Sequence, residues 1–356
     1  MFFSHFMWFL GIYTHAFFST SPPPPPLPPP HKHPLLLVPG LGGSRLKWKN
    51  DLDIFPPNVF HFLFQRNQWQ THMLNEKDVQ PMSFGDASSL DIRSVIPFCM
   101  KRNYFDYFLH KQNTFAIPYD FRFIHQSHYL TTFFEKLKIY IESFGEPVVL
   151  LAHSTGGLLI HWFLCNQSKK WKNKHIQSVI NVNVPFGGLF VGLKHFIQTT
   201  FLNVLFGKNT LKNIGGFIIN MPNTNIFQTI LTMDGIKHPD FYDFFHLTNI
   251  KQQYEKNMKM MKSFCTSNGV KKTHIIYCSN IATLSGFSKI RNKKYTLVFE
   301  EGDGVVPLKS LLVPNIWECH DKEEKVFFYH VRNYSHSNLL FSKEFEKLVE
   351  EIMISP

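Results

Sequence analysis

The chain of 356 residues is long enough for one large α/β domain or two ordinary domains, and its 44% of hydrophobic residues excludes wholesale disorder. The formal net charge of +11 suits a surface attracted to anionic lipid or to nucleic acid. The basic residues are scattered, however, and no nucleic-acid-binding motif is present, so we expect no nucleic-acid partner.

The cysteines and histidines have no spacing that is typical of a metal site. The five cysteines are far apart without a C-x-x-C pair, and none of the 19 histidines lies in an H-E-x-x-H motif. We therefore expect no metal and no cofactor. One or two disulfides are an alternative if the chain is secreted.

The N-terminal segment differs in composition from the rest of the chain. Residues 1–20 are apolar but short for a bilayer span, which is typical of a signal peptide with cleavage after Ala16, or of a signal-anchor. No Lys or Arg precedes Lys32, so a disordered apolar extension is the alternative. The proline run that follows predicts a polyproline II linker over residues 21–33, and the folded domain is expected over residues 34–356.

Short apolar runs of the buried-strand type recur along this domain. They are residues 35–38, 148–151, 178–184, 274–279, 295–299 and 325–329. Residues 128–145 and 342–354 have apolar residues at helical spacing, and Gly145 is a plausible C-cap. This alternation predicts an α/β fold, with a mostly parallel central sheet and helices on both faces.

Two segments fit that alternation poorly. Residues 44–80 are aromatic without a clean period, and residues 189–270 are basic, rich in Phe and only loosely helical in pattern. We interpret both as insertions over one end of the sheet.

The stretch VVLLAHSTGG places a serine between two apolar runs. Val148–Leu151 reads as a strand and Leu158 lies on the apolar face of a following helix, so Ser154 occupies a strand–turn–helix corner. This is the context of a nucleophile elbow, with Ala152 in place of the usual first glycine and Gly156 allowing close packing. The alternative is an ordinary strand-to-helix turn.

A serine nucleophile needs a base, and the base needs an acid to orient it. Asp303 lies in a Gly-Asp-Gly turn at residues 302–304, directly after the strand predicted at residues 295–299. The glycines allow a sharp bend that turns the carboxylate towards a partner. Glu300 and Glu301 are competing acids without flanking glycines, and a solvated turn is the alternative interpretation.

The predicted base is His336, in the loop between the last strand and the terminal helix. His330, at the end of that strand, is the second candidate. With Ser154 and Asp303 this gives the chain order Ser, Asp, His.

An oxyanion hole needs two backbone N–H donors. One is expected from Thr155, which follows the nucleophile, and the other from Leu41, in the loop after the strand at residues 35–38. The glycines of that loop also suggest a phosphate loop, but neither GK[ST] nor G-x-G-x-x-G is present.

Five segments in order give the chain a family resemblance. It is similar to the lecithin:cholesterol acyltransferase family, which includes lysosomal phospholipase A2 and phospholipid:diacylglycerol acyltransferases. The segments are LLLVPGLGGSRL, IPYDFR, VVLLAHSTGG, INVNVPFGG and EGDGVVPLKSL. The resemblance implies an α/β-hydrolase fold with a cap and a lid. It also implies an acyl-enzyme on Ser154, a triad completed by Asp303 and His336, and oxyanion donors at Leu41 and Thr155.

The chain departs from the family pattern in two places. Phe121 replaces the usual Trp in the PYD-W-R block, which we interpret as structural. Residues 41–98 contain no cysteine, so a lid here is not closed by a Cys pair. Trp48 and Trp69 are candidates for lid or membrane contact, with plain packing as the alternative.

The resemblance implies an O-acyltransferase or phospholipase A of lipid metabolism. It would move an acyl chain from a phospholipid to a lipid alcohol or to water, as a monomer at a membrane or lipoprotein surface. The expected location is the secretory pathway, whether secreted, lysosomal or membrane-associated in the lumen. A neutral-lipid or general ester lipase and a non-catalytic lipid-binding protein are the alternatives.

Overall fold

The computed structural model describes residues 32–48, 52–57, 64–92, 104–198, 203, 206–237, 247–289, 295–318 and 322–354. The expected signal segment and nearly all of the proline-rich linker lie outside these residues, so both stay predictions.

Thirteen strands and eleven α-helices are numbered here in chain order over the described residues. The strands are β1 Leu35–Val38, β2 Leu46–Trp48, β3 Leu52–Phe55, β4 Val79–Pro81, β5 Thr114–Ala116, β6 Val148–His153, β7 Ile176–Val182, β8 Leu231–Met233, β9 Ile236–Lys237, β10 Lys272–Tyr277, β11 Ile281–Lys289, β12 Thr296–Gly302 and β13 Lys325–His330. The helices are α1 Arg66–Met73, α2 Asp106–Leu109, α3 Ser127–Glu142, α4 Thr155–Cys165, α5 Lys169–His175, α6 Val191–Ile197, α7 Lys208–Lys212, α8 Gly215–Ile219, α9 Thr248–Ser263, α10 Leu308–Leu311 and α11 Lys343–Ile354.

The central sheet has six parallel strands in the order β13-β10-β7-β6-β1-β5. Its middle strands are apolar on both sides, because alternate residues enter two different cores. Leu36 and Leu150 pack into one core, whereas Leu37 and Leu151 pack into the other. Coverage of both faces explains why these strands read as continuous apolar runs, and it confirms the predicted fold class.

Two smaller sheets lie outside this layer. The order β3-β2-β4 forms an antiparallel sheet from the predicted insertion at residues 44–80 and the next residue, Pro81. The order β12-β11-β8-β9 forms the other, and its strands β8 and β9 come from the insertion at residues 189–270. The roles of these insertions as lid and cap remain proposals.

One strand assignment is corrected by the structure. Residues 295–299 were expected in the central sheet, but β12 pairs antiparallel with β11 in the four-stranded sheet. Val298 and Phe299 are 42% and 55% exposed there, so their apolar character does not reflect a buried strand. The loop with Asp303 therefore leaves a hairpin that lies beside the main sheet.

Candidate active site

The candidate site lies at the carboxyl edge of the central sheet. Parallel strands end together at this edge, so the loops that follow them converge there. The loop after β1 supplies Leu41, the turn after β6 supplies Ser154, and the loop after β13 supplies His336. All three residues line one cavity.

Ser154 occupies the sharp corner that the sequence predicts. It has a positive φ of 52° with ψ of −128°, which is uncommon for a residue with a side chain. A Cβ on Gly156 would lie 2.3 Å from the carbonyl oxygen of Pro39, so only glycine allows β1 and α4 to approach this closely. The strained corner and the close packing together fix Ser154 at the wall of the cavity.

Ser154, His336 and Asp303 form a chain of hydrogen bonds. The Oγ of Ser154 is 2.9 Å from the Nε2 of His336, and the Nδ1 of His336 is 2.6 Å from the Oδ2 of Asp303. All three residues are buried. A hydroxyl, an imidazole and a carboxylate thus lie in series, at the distances that a Ser-His-Asp triad would need for proton transfer.

The carboxylate of Asp303 is held on its other side by the backbone. Its Oδ1 accepts hydrogen bonds from the N–H groups of Val305 and Val306, at 2.9 and 2.7 Å. These contacts leave Oδ2 to face His336. The Gly-Asp-Gly turn thus directs the carboxylate towards a partner, as the sequence predicts.

The competing residues lie elsewhere. The Nε2 of His330 pairs with the hydroxyl of Ser279 at 2.8 Å, and its ring stacks on Tyr277. Glu300 forms an ion pair with Lys309 at 3.4 Å. The structure therefore brings His336 and Asp303, and not these alternatives, to Ser154.

The backbone of His336 is also fixed. Its N–H donates to the carbonyl oxygen of Asp303 at 2.9 Å. Its carbonyl oxygen lies 2.9 Å from the Nδ2 of Asn183 and 3.1 Å from the Nε2 of His153. His336 is thus tied through its N–H to the turn after β12, and through its carbonyl to His153 of β6 and to Asn183 after β7, which keeps the imidazole in line with Ser154.

In the neutral form of His153 the proton lies on Nε2, because the carbonyl of His336 can only accept a hydrogen bond. Its Nδ1 then accepts from the hydroxyl of Tyr104, 2.9 Å away. Burial, and to a lesser degree the neighbouring His336, hold the pKa of His153 well below its usual value, which agrees with the neutral form. Tyr104 and Asn183 carry no local sequence signal for this role, because their partners are distant in the chain.

The predicted oxyanion residues, Leu41 and Thr155, line the same cavity as Ser154. Thr155 is the first residue of α4, so its N–H has no acceptor within the helix and is available to a ligand. Leu41 lines the same cavity from the loop after β1. The positive end of the α4 dipole favours negative charge at this point.

The cavity measures about 480 Å³, within the range of small-molecule sites. Its wall is mostly apolar, with Ser154, Thr155 and His336 grouped at one place. The apolar lining includes Phe55, Met73, Phe121, Leu189, Leu211 and Phe217. Both insertions contribute to this wall.

The two tryptophans singled out in the sequence have different surroundings. Trp69 is 1% exposed, and its Nε1 donates to the carbonyl of Ile54 at 2.7 Å. Trp69 therefore packs in the interior, which is the alternative interpretation. The expected membrane contact of Trp69 is corrected, because an enclosed ring is not at the surface. Trp48 is half-buried against His72, with ring centroids 4.3 Å apart, and its role in a lid stays a prediction.

The Asp-Phe-Arg part of the PYD-W-R block has a structural role, as expected. Arg122 is buried and makes two hydrogen bonds to Asp120, at 2.8 and 2.6 Å. Its remaining N–H groups donate to the carbonyls of His72, Asn75 and Val79. One guanidinium thus fixes the end of α1 and the start of β4 against the main domain.

Over the described residues, no helix is long and apolar enough to cross a membrane. The same residues contain no group of three His, Cys, Asp or Glu side chains that could hold a metal ion. Cys165, Cys265 and Cys278 are free, and the other two cysteines lie outside the described ranges.

The parallel sheet and the strand–serine–helix corner at its carboxyl edge are those of the α/β-hydrolase fold. The solved structure of the Tle4–Tli4 complex shares the fold, with a TM-score of 0.62 and 10% identity over 90% of this chain and 98% of that chain. Residues 105–223 match the family model of lecithin:cholesterol acyltransferase. This match confirms the family resemblance found in the sequence.

Relatives with similar sequences agree with this resemblance. Lysosomal phospholipase A and acyltransferase of Rattus norvegicus is 22% identical over 86% of this chain and 87% of its own length. Phosphatidylcholine-sterol acyltransferase of the same species is 25% identical over 44% of each chain. Lecithin-cholesterol acyltransferase-like 1 of Arabidopsis thaliana is 32% identical over 27% of this chain and 25% of its own.

Proposed function

We propose that this protein is a serine-dependent phospholipase A and O-acyltransferase of lipid metabolism. It moves an acyl chain from a phospholipid, through an acyl-enzyme on Ser154, to water or to a lipid alcohol. The observation that supports this most is the hydrogen-bonded series Ser154–His336–Asp303 at the wall of an apolar cavity. The relatives named as phospholipase and acyltransferase support the choice of substrate class.

The reaction begins when His336 Nε2 takes the proton of Ser154 Oγ as this oxygen attacks the acyl carbonyl. Asp303 keeps the imidazole oriented and stabilises its positive charge. The N–H groups of Leu41 and Thr155 hold the oxyanion. His336 then returns the proton to the departing glycerol oxygen, and lysophospholipid leaves.

The acyl-enzyme is resolved by a second alcohol or by water. His336 accepts the proton of the incoming hydroxyl, which attacks the acyl carbonyl, and then protonates Ser154 as the new ester or free fatty acid leaves. No step requires a metal or a cofactor.

The apolar cavity receives the acyl chain. In this proposal residues 44–80 serve as a lid and residues 189–270 as a cap, because side chains of both segments line the cavity. The protein acts as a monomer on a lipid surface, and its place is the secretory pathway. The relatives whose names call them lysosomal support this location.

The test uses phospholipid vesicles with an isotope-labelled acyl chain, and with sterol and diacylglycerol as acceptors. Wild-type protein is expected to move label into free fatty acid, new esters or both. Ser154→Ala, His336→Ala and Asp303→Asn should each lose at least about 10⁴-fold in kcat. Label in new esters identifies the acceptor, and label only in fatty acid makes the protein a phospholipase.

Two matched controls separate chemistry from damage to the fold. His330→Ala and Glu300→Gln remove the same chemical groups outside the hydrogen-bonded series and should keep near-normal turnover. A parallel arm with triacylglycerol emulsion tests a neutral-lipid lipase. Absence of turnover on every lipid by folded wild-type protein would overturn the proposal and favour a lipid-binding protein.

A further inference from the structure

Thr155 has a side-chain contact that the mechanism above leaves unused. The Nδ2 of Asn220, the residue directly after α8, lies 2.7 Å from the hydroxyl oxygen of Thr155 and 2.6 Å from the carbonyl oxygen of Gly216. Thr155 and Asn220 are each 1% exposed, and both line the catalytic cavity with Ser154. A buried amide and a buried hydroxyl are thus paired next to the nucleophile.

The direction of this hydrogen bond follows from its neighbours. The carbonyl of Gly216 can only accept, so the amide atom beside it is the nitrogen. The same nitrogen faces Thr155, and an amide nitrogen is not an acceptor. The hydroxyl of Thr155 therefore accepts, and its own proton remains to be donated.

That proton has no acceptor within the part of the chain that the structure describes. A buried hydroxyl donor without an acceptor costs free energy unless a ligand satisfies it. The hydroxyl belongs to the residue whose N–H lies at the start of α4, beside Ser154 Oγ. A hydroxyl that already accepts one hydrogen bond is also a stronger donor.

We propose that the hydroxyl of Thr155 donates a third hydrogen bond to the oxyanion, beside the N–H groups of Thr155 and Leu41, and that Asn220 orients it. This inference rests on the acyl-enzyme mechanism proposed above. Thr155 is a catalytic residue in this scheme and keeps its proton throughout, whereas Asn220 is a positioning residue. The hydroxyl acts on the charge that develops in the transition state, so it raises kcat more than it lowers KM.

The decisive variant is Thr155→Val, which has the same shape and keeps the backbone N–H but lacks the hydroxyl. In the vesicle assay its kcat should fall about 10²-fold with KM nearly unchanged. Removal of one oxyanion-hole donor from other enzymes has an effect of this size. Thr155→Ser restores the hydroxyl and should recover most of the activity. The adduct of Ser154 with a phosphonate carries an oxygen in the oxyanion position. The rate of labelling by the phosphonate should therefore be lower in Thr155→Val than in wild type and in Thr155→Ser.

Asn220→Ala tests the orienting role through a double-mutant cycle. It should lower kcat less than Thr155→Val does, and it should cause no further loss in the Thr155→Val background. Thermal unfolding of each variant reports damage to the fold separately.

The outcomes keep the two proposals apart. If wild-type protein does not turn over lipid, the proposed function fails. If wild-type protein is active and folded Thr155→Val has the same kcat and the same labelling rate, the third donor is absent and this inference is overturned. A loss confined to KM would assign Thr155 to substrate packing and would also overturn it.

Discussion

The hydroxyl of Tyr104 supports His336 without touching it. It donates to the Nδ1 of His153, whose Nε2–H in turn holds the carbonyl of His336. Tyr104→Phe leaves His153 with an unpaired buried nitrogen, and a lost buried hydrogen bond costs about 1 kcal/mol or more. We expect kcat to fall about tenfold, because 1.4 kcal/mol corresponds to that factor. Steady-state kinetics on labelled phospholipid measures it.

The control for this prediction is Tyr107→Phe. Tyr107 lies near Tyr104 in the chain, but its hydroxyl accepts from Lys111 at 2.9 Å and takes no part in the contacts to His336. Equal kcat values for Tyr104→Phe, Tyr107→Phe and wild type would show that the contact from Tyr104 does not position the base.

Single residues of the site differ in how far the sequence reveals them. Ser154, Asp303 and His336 carry local signals, since glycines flank two of the turns and the chain order restricts the choice. Tyr104 and Asn220 carry none. Their partners are His153 and Thr155, 49 and 65 residues away, and those contacts exist only when distant elements pack together.

At the scale of elements, Arg122 joins α1 to the main domain. Arg122→Met would remove five N–H donors and leave Asp120 as a buried, unpaired carboxylate. Breaking a buried pair from one side costs about 3–5 kcal/mol, so the free energy of unfolding should fall by that amount. Urea denaturation followed by circular dichroism measures the change.

Arg45 offers a matched comparison. It pairs with Asp53 at 2.5 Å, but both side chains are partly exposed to solvent. Arg45→Met should therefore cost under about 1 kcal/mol. If Arg45→Met and Arg122→Met lowered the free energy of unfolding equally, burial of the Arg122 guanidinium would not account for its contribution to stability.

The strands illustrate both the reach and the limits of sequence reasoning. β1 coincides with its predicted run, because a strand covered on both faces must be apolar at every position. β5 was missed, since three residues are too few for a pattern. β12 was placed in the wrong sheet, because its apolar residues pair with β11 and stay largely exposed.

At the scale of the whole molecule, buried neutral histidines set the response to acid. Burial lowers the pKa of four histidines from 6.5 to about 4. His161, His195 and His274 are buried, and His125 is half-buried. In the unfolded chain they would bind protons below about pH 6.5, whereas the folded protein resists protonation until about pH 4. Their contribution to stability is therefore complete at neutral pH and is lost as the pH falls through this window.

His161 gives the sharpest test. It is enclosed by Phe186, Phe264 and Trp317, and its Nε2 donates to the carbonyl of Ser263 at 2.9 Å. One such group changes the free energy of unfolding by about 1 kcal/mol per pH unit. Urea denaturation should show that the free energy of unfolding of the wild type falls between pH 7.5 and pH 4.5. The free energy of unfolding of His161→Leu should fall less over the same range. An unchanged slope in His161→Leu would exclude this origin.

The contacts of α8 set a boundary for exchanging the insertion at residues 189–270 between relatives. The N–H groups of Gly215 and Gly216 donate to the carbonyls of Arg122 and Phe121, and a Cβ on Gly216 would meet the Leu41 side chain at 2.1 Å. Residues 215–220 thus pack against the loop that carries Leu41 as much as they belong to the insertion. A chimera that exchanges the insertion should keep these residues with the host chain, since a foreign helix here would displace Leu41 together with the cavity wall.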